Sequence, residues 1–442
     1  MQIRDPIHGA IAVDQHEVAV LESPFFQRLR RVKQLGFAEL VFPGASHHRF
    51  LHSIGVMHLA GVAFDAAVAD APWLPAADAV RLRRILRLAT LCHDVGHAPL
   101  SHASEILFPT VGQLAVPGLE GEDPTRQARH EHYTLKLMLD SPMADVIRKA
   151  YAPLDIKPEH AAALLHSGLR LDDEPFAVAG HDMRGILAAL TSSEVDVDRM
   201  DYLLRDSYYT GVKYGTFDHS WLLDHLCRYE ADDGGVYLAI EDRALYTFDD
   251  FLLSRYHMFL MVYFHYKVVC YDQMLRRFYA GQPDMIAVPP DPEAFLRYDD
   301  AAIHNALDAH ADSDPWARGI VTAQPLTLIA ERDPHSHRDP VEGIIERLLG
   351  EGIDHLTVTS KGALSKYRGR ADKERTIYVR IQPRVGEGRF IPLGEATNLF
   401  KRYADTTVLE RVYVHGGDAD KVGAWVEELR AAAPAPDDGA TR

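Results

Sequence analysis

Cysteine is scarce in this chain: three among 442 residues, at 92, 227 and 270, with no Cys-x-x-Cys pair. That excludes a disulfide framework and fits a reducing compartment, so a cytoplasmic location is expected. Positive charge is also short. The 47 Lys and Arg against 64 Asp and Glu leave a net charge of −17, which argues against broad electrostatic binding to nucleic acid or to an anionic membrane. An anionic substrate would need a local basic pocket. The first ten residues carry Asp5, Pro6 and Gly9 in place of an apolar core, so no signal peptide is expected. Residues 256–271 are read as the most apolar long stretch, but they contain His257, His265 and Lys267, which predicts a buried helix and no membrane span. No internal repeat is visible. What remains is ordinary globular composition, 47% hydrophobic and 25% charged, in a chain long enough for one large domain and a smaller one.

The stretch that organises the chain is Leu91-Cys92-His93-Asp94-Val95-Gly96-His97-Ala98-Pro99-Leu100-Ser101-His102. A neutral imidazole and a carboxylate side by side both donate lone pairs, which suits a first-row metal ion. Gly96 and Pro99 break any helix, so His97 and His102 are placed on a turn that curls back over the ion. The plainer reading is a helix end with buried, hydrogen-bonded histidines, and the motif taken alone favours it.

Around it the sequence reads as mostly helical. Ser23 is a cap, Pro24 opens a helix and Gly36 follows its last turn. A second helix is expected from Ser46 or His47, carrying Arg49 and His52. Others are expected over 78–93, from His130 through Ile147, and over 159–170, 183–206 and 248–280. In the helix over 183–206, Asp198, Tyr202 and Asp206 are four apart and share one face, either solvent or the wall of a polar pocket. Beyond Gly281 the character changes. Strand-like runs at Leu326–Ile329, Leu356–Thr359, Thr376–Ile381 and Arg411–Val414 alternate with helical Val341–Leu349 and Glu395–Tyr403. The expected division is a catalytic core over 1–281 that includes an extended N-terminal entry, an α+β region over 282–430, and a disordered tail over 431–442.

Together, Asp5-Pro6-Ile7-His8-Gly9, Phe26-Gln27-Arg28-Leu29-Arg30, Phe42-Pro43-Gly44-Ala45-Ser46-His47, Arg49-Phe50-Leu51-His52-Ser53, His93-Asp94-Val95-Gly96-His97 and the Asp196-Val197-Asp198 segment resemble the HD-domain phosphohydrolases. They resemble most the deoxynucleoside triphosphate triphosphohydrolase branch, which includes vertebrate SAM-and-HD-domain enzymes; no SAM domain is expected here. The resemblance implies a mainly α fold, an HD-domain helical core with a smaller C-terminal α+β region. It implies that His52, His93, Asp94 and Asp198 hold one transition-metal ion (Fe, Zn, Mn or Ni), with additional Mg²⁺ accompanying the nucleotide. In the reaction it implies, His102 protonates the leaving 5′ oxygen, and His97 and His130 touch phosphate oxygens or position water beside Asp94. Arg49, Arg199 and Arg255 match phosphate contacts, with Lys33 a further cation. Gln34 and Asp206 would meet the 3′-hydroxyl, and Tyr202 and Tyr263 would crowd the 2′ position.

The family's activator site is only partly matched. Gln27 and Arg30 survive, while Glu22 stands where an Asp is usual, and Met1 and Arg4 depart from the pattern. The expected partners are therefore deoxynucleoside triphosphates, an activating GTP or dNTP, and further copies of the chain, in a tetramer; membrane and nucleic acid are not expected. Two other readings stay open: a phosphatase or phosphodiesterase acting on monophosphates, cyclic or signalling nucleotides, and a regulatory protein that binds nucleotides or single-stranded nucleic acid.

Overall fold

Two helices, Arg49–Ala67 and Ala76–Cys92, pack along each other and set the frame of the molecule. The computed structural model describes residues 1–282, 287–333, 339–362, 376–383, 388–397, 399 and 407–432. Arg49–Ala67 is apolar on all sides, burying Ile54, Met57, Ala60, Ala63 and Phe64, as a helix must that runs through a core. It is also the one helix among the described residues with the length and composition of a membrane span, 72% of it buried inside the fold. The most span-like stretch is therefore here and not at 256–271. The Val197–Thr210 helix crosses Arg49–Ala67 closely. Gly55 permits this approach, because a Cβ there would stand 2.0 Å from Asp201 Oδ1 and 2.5 Å from Arg205 Nη2.

Several expected helices are shorter than the sequence pattern suggests. Ser23 does cap a helix, accepting the Phe26 N–H, but that helix runs only Pro24–Arg28 plus one tighter turn to Arg31. Lys33 pairs with His48 in an isolated bridge, and Gly36 lies in the left-handed region at φ 52°. The helix carrying His52 begins at Arg49, slightly later than expected. The helix expected from His130 to Ile147 is two, His130–Leu139 and Pro142–Tyr151, split because Ser141 caps the second and Pro142 cannot continue the first. The 183–206 helix is also two, Arg184–Thr191 and Val197–Thr210. Between them Ser192 is extended and Asp196 accepts the Arg199 N–H as a new cap. The 248–280 helix is broken as well. Leu245–Met258 ends in a π-helical turn over Phe259–Tyr263, and Tyr266–Gly281 starts afresh with His265 as its cap. Such turns recur at functional sites, and this one carries Tyr263.

Residues 2–12 form an antiparallel hairpin, Gln2–Asp5 with Gly9–Ala12. A second hairpin, Leu226–Glu230 with Val236–Glu241, is joined in parallel by Tyr378–Ile381, which pairs in turn with Arg389–Pro392. The pattern reading did not anticipate that second hairpin. Thr407–Val414 is the central strand of a three-stranded antiparallel sheet, between Thr327–Arg332 and His355–Gly362. Val412 and Val414 bury against Val341–Gly350 and Ala419–Ala432, whereas Tyr413 buries against Tyr266–Gly281. The stretch 282–318, read only as rich in Pro, Asp and Ala, contains helices Pro292–Phe295, Asp300–His310 and, at its end, Pro315–Val321. The architecture is mainly α with small sheets. Most of the expected Glu395–Tyr403 helix and of the tail lies outside the described residues.

After the His-Asp turn, Leu100 and Ser101 both adopt left-handed backbone at φ 53° and 58°, which costs non-glycine residues of order 1–3 kcal/mol each. The surroundings hold them there. Leu100 N–H donates to Asp300 Oδ1 at 2.7 Å, and Asp300 Oδ2 accepts the Lys33 N–H at 2.9 Å. Ser101 Oγ accepts from Arg49 Nε and lies within bonding distance of the Lys33 and Gln34 carbonyls. One carboxylate from residue 300 thus staples the motif loop to the segment before the Arg49 helix.

Candidate metal centre and active site

His52 sits one turn into the Arg49 helix, and His93 and Asp94 close the end of Ala76–Cys92. Donor atoms of these three lie within 4.8 Å of one another. Asp198, in the first turn of Val197–Thr210, brings Oδ1 to 3.0 Å from His52 Nε2 and 3.4 Å from His93 Nε2. Its side chain is 35% exposed, so the cluster opens on that side.

The tautomers follow from what each ring faces. His52 Nδ1 lies 2.7 Å from the Asp201 carboxylate, and His93 Nδ1 lies 2.7 Å from the Thr90 carbonyl. Both partners only accept, so both rings keep a proton on Nδ1 and present Nε2 inward as the nitrogen that can coordinate. His93 Nε2 is buried with no hydrogen-bond partner among the described residues. Burial opposes charging His52, but Asp198 and Asp201 outweigh it and push the imidazole up to about 10. His93 is raised too, burial being outweighed by Asp94 and Asp198. Burial likewise opposes ionisation of Asp94, yet Arg49, His93 and His97 hold it well below the usual carboxylate range. Two imidazoles and two carboxylates converging on one space fit a divalent first-row ion.

A second cluster adjoins the first. His97 Nε2 is 3.3 Å from Asp94 Oδ1, and its ring stacks on His130 at 3.8 Å. Burial, with Arg49 and His130 nearby, holds His97 well below its ordinary value, so it is neutral. His102 is not on the turn itself. It lies in a short 3-10 helix, Ser101–Leu107, and its side chain is 67% exposed. Glu105 Oε1 takes both His102 Nδ1 at 3.0 Å and His130 Nδ1 at 2.6 Å. Burial works against the Glu105 charge, but these two imidazoles hold the carboxyl far below its usual range. The motif reading missed Glu105. The signal that would have found it is its position three residues after His102, where a 3-10 helix eclipses side chains. Gly96 makes the closeness possible, since a Cβ there would stand 2.2 Å from Thr134 N and 2.4 Å from His130 O.

Of the expected nucleotide contacts, Arg49 touches the metal cluster directly. Arg49 is buried and bonds Asp94 and Ser101. Arg199 is held by Glu194 at 3.0 Å and Asp196 at 3.2 Å, so an anion there would compete with two acids. Arg255 is buried with its guanidinium 5.2 Å from the Phe259 ring centre. Lys33 pairs with Glu39. Gln34 is buried, and its Oε1 has no hydrogen-bond partner among the described residues. Asp206 accepts from the Tyr263 hydroxyl at 2.7 Å and contacts His47 Nε2 at 2.8 Å. Tyr202 meets Tyr263 edge-on at 6.2 Å. His47 is thus the buried prop of Asp206. His132 has a structural role, accepting the Arg129 N–H at Nδ1 and bonding Glu122 through Nε2. At the expected activator position Arg30 bonds Gln27 Oε1 and stacks over Phe50, and Glu22 is exposed nearby.

No protein-family model matches the chain. It is 32% identical over 264 residues to the uncharacterized protein YwfO of Bacillus subtilis, covering 59% of this chain and 51% of that one. It is 31% identical over 304 residues to the deoxynucleoside triphosphate triphosphohydrolase SAMHD1 homolog of Dictyostelium discoideum, covering 68% and 54%. The chain spans about half the length of the curated relatives it matches. Among solved structures, a hypothetical protein from Aquifex aeolicus superposes with a TM-score of 0.72 at 25% identity, over 96% of this chain and 99% of that one. In its motifs, helical frame and relatives the chain is similar to the HD-type phosphohydrolases.

Proposed function

We propose that the chain is a metal-dependent phosphohydrolase that splits deoxynucleoside triphosphates into deoxynucleoside and inorganic triphosphate. The observation that carries this reading is the pairing of two sites along one helix. Asp198 stands at the metal cluster, and Asp206, bonded to Tyr263, stands two turns on. Eight helical residues span about 12 Å, room for a phosphate contact, a deoxyribose and a hydrogen bond laid end to end. The buried Gln34 oxygen offers an acceptor that a sugar hydroxyl would satisfy. The name of the Dictyostelium relative supports the same substrate class.

An ion held by His52, His93, Asp94 and Asp198 would supply Lewis acidity to attacking water and to the phosphoryl oxygens. The chain's own groups do the rest. Arg49, Arg199 and Arg255 bind triphosphate charge, Arg through its two-pronged fork. His102, oriented by Glu105, delivers the proton that the 5′ alkoxide needs to leave. Neutral His97 and its stacked neighbour His130 hold water and phosphate oxygens. Tyr263 and Tyr202 wall the sugar against a 2′-hydroxyl.

The test is purified protein with Mn²⁺ or Mg²⁺ against dNTPs, NTPs, monophosphates and cyclic nucleotides, with products resolved. Preference for dNTPs and release of triphosphate are expected. Tyr263→Ala should admit NTPs, whereas Asp206→Ala should weaken dNTP use without improving NTP use. Equal kcat/KM for ATP and dATP in the wild type would remove the sugar gate and bring the monophosphate or signalling-nucleotide reading forward. A cytoplasmic tetramer with GTP or a dNTP bound near Glu22, Gln27 and Arg30 belongs to the same reading. Sedimentation should show nucleotide shifting the assembly, and a fully active monomer at all concentrations would end that part.

A further inference from the structure

Behind the metal cluster runs a line of buried charges that ends in the N-terminal hairpin. Asp201 is fully buried, and its two oxygens receive four bonds. These come from His52 Nδ1 at 2.7 Å, His8 Nε2 at 2.6 Å, and Arg205 Nε and Nη2 at 2.7 and 2.9 Å. The remaining Arg205 fork, Nη1, donates to Asp5 Oδ2 at 2.8 Å. The other Asp5 oxygen accepts the Ile7 and His8 N–H groups at 2.9 Å each. That closes the hairpin turn and aims the His8 ring. The side chains of Asp5 and Arg205 are 0% exposed and that of His8 is 3% exposed.

We propose that the Asp5–Gly9 turn is a working part of the metal centre: Asp5 and His8 fix Asp201 directly and through Arg205, and Asp201 fixes the ring of His52 with Nε2 turned to the ion. This rests on the reading of His52 as a metal ligand. A carboxylate on the far nitrogen of a ligating imidazole sets its tautomer and orientation and raises its basicity, and losing such a group typically costs 10–100-fold in metal affinity. The alternative is a network that merely glues the hairpin to the core. Buried ion pairs are poor glue, since apolar replacements are often as stable. Three bonds from His8 and Arg205 converging on the acid that holds the outer nitrogen of His52 are better explained by orientation. Gly55 points the same way, because a side chain there would displace Asp201 and Arg205 from the His52 helix.

The two roles separate on metal affinity measured apart from activity. Full-length protein stripped of metal is titrated with Mn²⁺, free ion being followed by electron paramagnetic resonance, and thermal midpoints are taken in chelator. Asp201→Asn should weaken Mn²⁺ binding 10–100-fold. His8→Ala and Asp5→Asn leave Asp201 and Arg205 in place and should weaken it about tenfold, with folded protein throughout. If Asp201→Asn does not fold, the two hairpin variants decide. Wild-type affinity in both, with or without a lowered thermal midpoint, would overturn the proposal and leave the network as glue. Failure of the wild type to bind Mn²⁺, Fe²⁺ or Zn²⁺ at all would instead remove the metal reading on which it stands.

Discussion

Asp198→Ala should lose its metal and fall to background hydrolysis. In the proposed site Asp198 is the ligand brought from a third helix, and its Oδ1 stands within 3.4 Å of both inward-facing imidazole nitrogens. Removing it leaves two imidazoles and Asp94, whose charge is already shared with Arg49. The site then loses a donor and a negative charge together. A bound ion contributes several kcal/mol of transition-state stabilisation, so turnover should drop by at least about 10³-fold. Because Asp198 is partly exposed and lies in the first turn of its helix, the fold should survive, which a circular dichroism melt would check. Unchanged metal content in both Asp198→Ala and His93→Ala would sink the ligand assignment.

His102→Ala should keep its metal and still bind nucleotide, while kcat falls by about 10²-fold or more, the usual worth of a positioned general acid. Glu105→Gln should do nearly the same damage through another atom. The amide cannot hold the charge that both His102 and His130 face, so the His102 ring loses its orientation. Combining the two should cost little more than either alone, since groups in direct contact act as a unit. Fully additive losses would show that Glu105 acts elsewhere, and near wild-type kcat in His102→Ala would reject the acid.

The helical frame was legible because its periodicity is strong and its caps are marked: Ser23, Pro24 and the run into Cys92 all do what their residue types dictate. The breaks were harder to read. Nothing in the apolar pattern around Ser192 or Phe259 distinguishes a continuous helix from two that meet, since both pieces bury the same kind of face. The second hairpin was missed for a related reason: its Val236–Glu241 strand is buried nearly throughout and lacks the alternation that marks a half-exposed strand. In the site, the motif residues were legible as types. Their supports Asp201 and His47 were not, because each acquires that role from a partner far along the chain, whereas Glu105 carried one signal in its spacing from His102.

The staple at Asp300 ties the shape of the His-Asp motif loop to the order in which the chain is made. Leu100 and Ser101 hold left-handed backbone, and the carboxylate that fixes Leu100 lies 200 residues later. At synthesis rates of about 5–20 residues per second, that carboxylate follows the loop from the ribosome by about 10–40 s. For that interval the His-Asp motif is complete in sequence but lacks one anchor of its strained turn. A nascent or truncated chain ending before residue 300 would carry every residue of the proposed metal site and proton-transfer group without the clasp that shapes the loop between them.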